Sequence, residues 1–570
     1  WEEDLEAALA ELTTPTRAAR LARSHGRAFS ASYRAQHQPA EAAADIMALA
    51  TLEDEAGRAV RIMAAPEPGQ LRLKLYRLGP IIPLSEAVPV LENFGLKVIE
   101  EYPFDLDDGR LGRINDFICE VPDPAILADL PALTARLEPA LVAVLLGTRE
   151  NDGFNALIPG CGLEARDASL LRAWFRYLRQ TGVTYGVMTA VDALKRYPDI
   201  TGDLVALFTA RFALDVADRA KAQADVLARI DAGLAEVSSI DDDRIIRLYR
   251  SAMLATLRTN FFVPGGPEAM AFKIDSAAMP GLPHPIPYRE IWVFSPRVEG
   301  IHLRGGPIAR GGLRWSDRRD DFRTEVLGLV KAQKVKNTVI VPTGAKGGFY
   351  PKLLPSASNR DAWLAEGTEA YRIYIRALLS ITDNLDVAGT VLPPEGVVRH
   401  DGDDPYLVVA ADKGTATFSD TANAIAENHG FWLGDAFASG GGNGYDHKAM
   451  AITAKGAWIS VQRHFREMGI DVQSETVRVA GVGDMSGDVF GNGLLLSPTV
   501  ALVAAFDHRH IFLDPTPNIP AAFAERQRMF ALPRSSWDDY DKALISEGGG
   551  VFARSLKSIP LSPQVQAMLG

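Results

Sequence analysis

One stretch restricts the folds open to this chain more than any other: TVRVAGVGDMSGDVFGNGLLLSPTVALVAAFD, residues 476–507. An apolar run, a glycine-bearing turn, a short helix and a second apolar run follow in that order. The β-α-β order is the signature of a parallel α/β sheet. In the turn, Gly481, Gly483 and Gly487 surround Asp484 and Ser486, and Ser486 stands where G-x-G-x-x-G has its third glycine. The first two glycines permit a tight turn and close approach of a pyrophosphate to a helix N-terminus. Asp507 ends the second run, at the place where an acid hydrogen-bonds the ribose 2′-hydroxyl of NAD and repels the 2′-phosphate of NADP. A glycine turn with a purely structural role is the alternative. The preceding segment FASGGGNGYDHKAMAITAKGAW (437–458) opens a helix that offers Thr453 as a further cofactor contact.

Glycines also crowd residues 305–348, and cations sit among them. GGPIARGGLRWSD supplies Arg310 and Arg314, AQKVKNTVIVP supplies Lys334 and Lys336, and VPTGAKGGFYPK supplies Lys346. A P-loop would place Ser or Thr after the lysine, but Gly347 follows Lys346. Lys346 is therefore read as a chemical group: neighbouring cations would lower its pKa and leave it neutral enough to act as a base. Lys331, Lys334 and Arg318 read as solvated surface. In YLVVAADKGTATFSD an apolar strand ends at Asp412, the usual place for an α/β catalytic group, with a structural helix cap as the competing reading. A lysine–aspartate pair supplies the proton shuttling that hydride transfer to or from an amine needs.

The bulk numbers exclude several classes. A formal net charge of −12 argues against a dedicated nucleic-acid or anionic-membrane binder. Two cysteines, Cys119 and Cys161, are too few for a disulfide framework and fit a reducing cytoplasm. The longest apolar stretch is broken by Ser497 and Pro498 and falls short of the ~18 residues that suggest a membrane span. His508 and His510 have no carboxylate or cysteine at ligand spacing, so they read as solvent-exposed and no metal is expected. Both ends of the chain read as cut from something longer.

Along the chain, residues 1–64 read as helical. Residues 65–135 hold a β-α-β-β unit: QLRLKLYRLG alternates with period two as a half-buried strand, PLSEAVPVLENFG offers Ser85 as a helix cap, and LKVIEEYPF and INDFICEVP follow as strands. Residues 136–262 are helical, with DASLLRAWFRYLRQTG expected to start at an Asp167 cap and stop at Gly182. Residues 263–425 form a strand-rich catalytic region and 426–570 the region of the glycine turn.

The segment ARGGLRWSDRRDDFRTEVLGLVKAQKVKNTVIVPTGAKGG resembles the K-G-G-[IL]-R … M-T-x-K-N … P-x-G-G-x-K-G-G run of glutamate dehydrogenases. ENDGFNALIPGCGL, LRAWFRYLRQTG, VGDMSGDVFGNGLLLS and LPRSSWDDYD are similar to the large, NAD-dependent bacterial members, whose chains are more than twice as long. The resemblance implies a multidomain α/β fold: an ACT-like βαββ unit and a helical region, then a glutamate-dehydrogenase-type substrate domain and a Rossmann-like NAD domain, incomplete at the C-terminus. It also implies NAD-dependent deamination of L-glutamate to 2-oxoglutarate and ammonium by a cytoplasmic homo-oligomer. Lys346 would be the catalytic lysine and Asp412 the proton-transferring aspartate. Lys336 would take the α-carboxylate, and Arg310, flanked by Gly311 and Gly312, would stand where smaller relatives have a lysine for the side-chain carboxylate. The ACT-like unit would bind an amino-acid effector or make a structural contact. A branched-chain or aromatic amino-acid dehydrogenase, and a non-catalytic regulatory or scaffolding segment, are the alternative readings.

Overall fold

A computed structural model describes residues 1–333, 343–412, 415, 417–444 and 446–570. The chain divides into two units, Trp1–Ser439 and Gly440–Gly570.

The first unit opens with helices α1 (Glu2–Leu12), α2 (Pro15–His25), α3 (Ala31–Gln36) and α4 (Pro39–Leu49). The span read as helical to residue 64 ends instead in a strand. β1 (Ala59–Ala64) joins β2 (Gln70–Arg77), β3 (Lys97–Leu106) and β4 (Gly112–Glu120) in an antiparallel sheet of order β1-β2-β4-β3. Helix α5 (Leu84–Asn93) starts after Pro83 with Ser85 inside it, so Ser85 is no cap. Pro83 presets an extended φ and ends the preceding turn.

β2 is buried on both faces where half-burial was expected. The α1–α4 helices cover the second face, and Lys74 is fully buried there. Its Nζ donates to Asp45 Oδ2 at 2.6 Å and lies 2.6 Å from Glu41 Oε1. Tyr33 Oη (2.5 Å) and Tyr76 Oη (2.7 Å) also donate to Asp45. His37, Glu41 and Asp116 gather within 4.8 Å of one another. Lys74 and Arg72 already supply the opposing charge, Arg72 pairing with both Glu41 and Asp116. A buried charge persists only when paired, and this network is what a period-two pattern could not disclose.

Helices α6 (Leu130–Leu145), α7 (Leu157–Cys161), α8 (Ala165–Gln180), α9 (Val187–Arg196), α10 (Pro198–Phe212), α11 (Arg219–Ala235) and α12 (Ile240–Ala255) follow. Helix α8 begins two residues before Asp167, which lies in its first turn and is not its cap. Gly182 then takes a positive φ of 99° just past the helix end, as the sequence suggests.

The centre of the first unit is a seven-stranded sheet, β13-β9-β10-β8-β7-β6-β5. Its strands are β5 (Thr256–Thr259), β6 (Met270–Ile274), β7 (Arg289–Phe294), β8 (Val298–Arg304), β9 (Ala309–Trp315), β10 (Thr343–Pro351) and, beyond the small ribbon β11 (Asn384–Leu385) and β12 (Val391–Leu392), β13 (Val409–Ala411). β9 runs parallel to β10 and to β13, and the remaining pairs are antiparallel. One face packs Val293, Leu313 and Phe349 against Tyr374 and Leu378 of α14 (Arg360–Leu379). The other packs Trp292, Ile301 and Leu303 against α8, α12 and α13 (Phe322–Gln333). Residues 426–439, expected in the C-terminal region, stay with this unit. Ala438 bridges Val409 after α15 (Ser419–Asn428).

The second unit carries α16 (His447–Met450), α17 (Ile452–Glu467), β14 (Val477–Val482), α18 (Asp488–Gly493), β15 (Val500–Phe506), β16 (His510–Leu513), α19 (Ile519–Ala531), β17 (Gly550–Ala553) and α20 (Pro563–Leu569). β14 and β15 are parallel around the short α18, as the β-α-β order requires. β15–β16 and β16–β17 are antiparallel. Among the described residues, no helix is long and apolar enough to cross a membrane.

Candidate active site

Lys346 lies mid-strand in β10, where Gly344 pairs with Arg310 and Gly347 with Leu313 of β9. Side chains alternate across the sheet, so Lys346 shares the α13 face with Leu303, its direct partner on β8. The adjoining strand β13 ends at Ala411, and Asp412 follows immediately. Lys346 Nζ donates to Asp412 Oδ2 at 2.9 Å. Lys346 is 9% exposed, so the pair sits at the rim of the core and not in free solvent. The near neighbour among the described residues is thus a carboxylate, while Lys334 and Lys336 of the expected cation cluster lie outside them.

Glycine makes this geometry possible. A Cβ on Gly311 would fall 1.4 Å from the Ala345 carbonyl oxygen, and one on Gly312 would fall 2.6 Å from that of Ala411. No other residue lets β9 lie so close to both neighbours. The glycines beside Arg310 and Lys346 are therefore demanded by the sheet itself.

Arg314 holds the other side of Asp412. Its Nη2 donates to Asp412 Oδ1 at 3.4 Å, and its Nη1 donates to Glu325 Oε1 of α13 at 2.9 Å. Ser316 Oγ donates to Glu325 Oε2 at 2.7 Å. Thr415 Oγ1 donates to the Leu313 carbonyl and accepts the Asp412 N–H at 3.0 Å, fixing the turn that carries the aspartate. Glu325 and Thr415 were not singled out in the sequence, because nothing local to either points at residue 412. Arg310, on the same strand as Arg314, is partly buried, and no ion pair to it is found among the described residues. Lys334 and Lys336 lie outside the described residues. Lys331 is exposed, and Arg318 is an exposed partner of Asp321, as expected of surface cations.

In the second unit, Gly483 has a φ of 145°, and a Cβ on Gly481 would meet the Phe490 ring at 2.7 Å. Asp484 accepts from the Ser486 N–H and hydroxyl. Trp537 Nε1 donates to the Gly483 carbonyl at 2.8 Å. Lys448, which sequence reasoning passed over, donates to the Ser486 carbonyl at 2.6 Å and so brings a cation to the glycine turn. Thr453 is exposed in the first turn of α17.

Asp507 is 6% exposed. Its Oδ1 accepts from the backbone of Arg509 at 2.7 Å and His510 at 2.6 Å, and its Oδ2 is buried with no hydrogen-bond partner. Burial alone would raise its pKa, but these backbone donors more than offset that and hold it below the usual carboxylate range. His508 is exposed, but His510 is not: its Nδ1 lies 2.8 Å from Ser536 Oγ, so the expectation of exposure fails there. The β15–β16 turn folds it back under residue 536.

A mixed α/β sheet carrying the Lys346–Asp412 pair, with a second unit built on a glycine turn, makes this a mixed α/β protein of more than one unit. Residues 229–570 match the family model described as "Bacterial NAD-glutamate dehydrogenase, catalytic domain", and the chain belongs to that family. Residues 149–214, 59–130 and 8–52 match the glutamate dehydrogenase helical motif 3, ACT3 domain and helical motif 2. Proteins named NAD-specific glutamate dehydrogenase are similar throughout. That of Pseudomonas aeruginosa is 50% identical over all of this chain and 36% of its own length. That of Halomonas elongata is 50% identical over 95% of this chain and 34% of its own. That of Mycobacterium tuberculosis is 51% identical over the same shares. The chain therefore spans about a third of the length of these relatives.

Proposed function

We propose that the complete protein catalyses NAD-dependent oxidative deamination of L-glutamate to 2-oxoglutarate and ammonium. The observation that carries this reading is the 2.9 Å contact between Lys346 and Asp412, with Arg310 on the adjacent strand. Support comes from the family and from the names of its relatives.

A dicarboxylate needs two fixed cations, and Arg310 and Lys336 fill those roles, leaving Lys346 for chemistry. Gly312, on the face of Arg310 and Arg314, leaves no side chain in the substrate's way there, and Gly311 turns to the opposite face. As hydride leaves Cα, Lys346 Nζ takes a proton from the water that attacks the iminium carbon. Asp412, whose carboxylate Arg314 keeps aimed, takes that proton from Lys346 and passes it to the departing amine. Once the proton has moved, the adjacent Lys346 and Asp412 can share it across a short hydrogen bond.

The second unit fits NAD as a Rossmann-like domain. Gly481 and Gly483 give the pyrophosphate its close approach, with Asp484, Ser486 and Thr453 around it. Asp507 follows the end of β15, the place where an acid would face the ribose of NAD. When bound, NAD⁺ supplies the hydride acceptor. A cytoplasmic homo-oligomer with an amino-acid effector on the ACT-like sheet completes the reading. The test is NADH formation by the complete protein with a panel of amino acids: glutamate should be turned over well above leucine or phenylalanine, and a preference for an apolar amino acid would reject it.

A further inference from the structure

Away from Lys346, a cavity of about 390 Å³ opens where the segment after α6, the start of α8 and the loop after β5 meet the central sheet. That volume is in the range of small-ligand sites. Arg149, Arg166 and Arg172 line it, in a chain whose net charge is −12.

The three arginines are not equivalent. Arg172 is neutralised: its guanidinium donates to Asp152 at 2.9 Å and to Asn155 at 2.6 Å. Arg149 and Arg166 have no ion pair among the described residues. Arg149 donates only to neutral oxygens, the Ala165 carbonyl at 3.3 Å and Ser169 Oγ at 3.1 Å. Arg166 lies with its guanidinium 4.0 Å from the Phe261 ring centroid and donates to the Phe261 carbonyl at 2.9 Å. Stacked in that way, its planar fork is held in place before any ligand arrives.

The two carboxylates of the lining are already taken. Glu150 pairs with Lys352, and Glu268 pairs with Arg376 at 2.8 Å. The cavity thus holds two guanidinium groups outside any ion pair among the described residues, Arg166 meeting only the more distant charge of its neighbour Asp167. Burial, and then the neighbouring Arg172, disfavour the charged form of Arg149, a cost that a bound anion would relieve.

We propose that this cavity is a binding site for a small oxyanion, a carboxylate or a phosphate, gripped by Arg149 and Arg166. Both ligands present oxygens that match the guanidinium fork. The ligand would join α8 to the start of β6 and the end of β7, since Met270, Phe294 and Ser295 form the opposite wall. Lys352, one residue beyond the strand of Lys346, donates to the Ser295 carbonyl at 3.0 Å, so the wall is tied directly to that strand.

Calorimetric titration of the complete protein with inorganic phosphate, and separately with malonate, at ionic strength held constant by chloride, tests this. At least one anion should bind saturably, and the one that binds more tightly identifies the phosphoryl or carboxylate source. Arg149→Gln and Arg166→Gln should each weaken the binding at least tenfold. Arg166 is exposed, so its variant decides the matter even if Arg149→Gln fails to fold. No saturable binding of either anion, or titrations unaltered by Arg166→Gln, would overturn the site. Because the readout is binding and not turnover, its failure leaves the reading of the active site intact.

Discussion

Lys346 and Asp412 are 66 residues apart in the chain, yet their Nζ and Oδ2 atoms meet at 2.9 Å because β9 lies between β10 and β13 and is narrow enough for both to close on it. Lys346→Ala in the complete protein should therefore cut kcat by 10²–10⁴, the usual loss with a catalytic base. NAD affinity should stay nearly unchanged. Retention of more than about a tenth of the wild-type kcat would reject the assignment.

Substrate choice is expected to rest on Arg310. Arg310→Met should cost glutamate roughly 2–5 kcal/mol in kcat/KM, the range for truncating one partner of a buried charge pair. A monocarboxylate such as norvaline has no second carboxylate to lose, so its slow turnover should change little. Equal losses for both amino acids would place Arg310 elsewhere.

Asp507 does two jobs in this reading. Asp507→Ser removes the Oδ1 acceptor of the β15–β16 turn as well as the buried Oδ2. It should lower the melting temperature and narrow the preference for NAD over NADP, because repulsion of the 2′-phosphate is gone. Comparing kcat/KM for the two cofactors checks the second effect. An unchanged ratio would mean that the acid does not face the ribose.

The Lys74–Asp45 pair is fully buried. Asp45→Ala leaves Lys74 with Glu41 alone and the Tyr33 and Tyr76 hydroxyls without their acceptor, and should destabilise the protein by about 3–5 kcal/mol. The double variant Asp45→Leu/Lys74→Met should recover much of that loss. Denaturant unfolding of the three proteins measures it, and additive losses would contradict the pairing.

His302 on β8 is fully enclosed beside Gly347. Burial first, and then Arg304, push its pKa down to about 3. A histidine lowered in the folded state binds fewer protons there than in the unfolded chain. Its contribution to stability is complete above its ordinary pKa of 6.5. It falls with acidification by about 1.4 kcal/mol per pH unit until pH nears the folded value. His302→Asn should flatten the dependence of unfolding free energy on pH between about 6.5 and 3. An unaltered slope would assign the acid sensitivity to other groups.

The sequence by itself determined the local order of this protein. Apolar runs and glycines marked the parallel β14–β15 pair around the short α18 and the Gly182 stop after α8, because each is written in neighbouring residues. Lys346, Asp412 and Asp507 stood out in the same way, each at a strand or turn that its own neighbours define. Tertiary structure alone decided which charges would meet. Lys74 reads as the solvent side of an alternating strand until α4 lays Asp45 and Glu41 over it, and Ser85 and Asp167 read as caps until the helices start elsewhere. Glu325 and Thr415 gain a role only when α13 and the turn after β13 converge on Arg314 and Asp412. Periodicity tells which face of an element is apolar, but the fate of a buried charge depends on its partner, and that partner is brought by a segment distant in the chain.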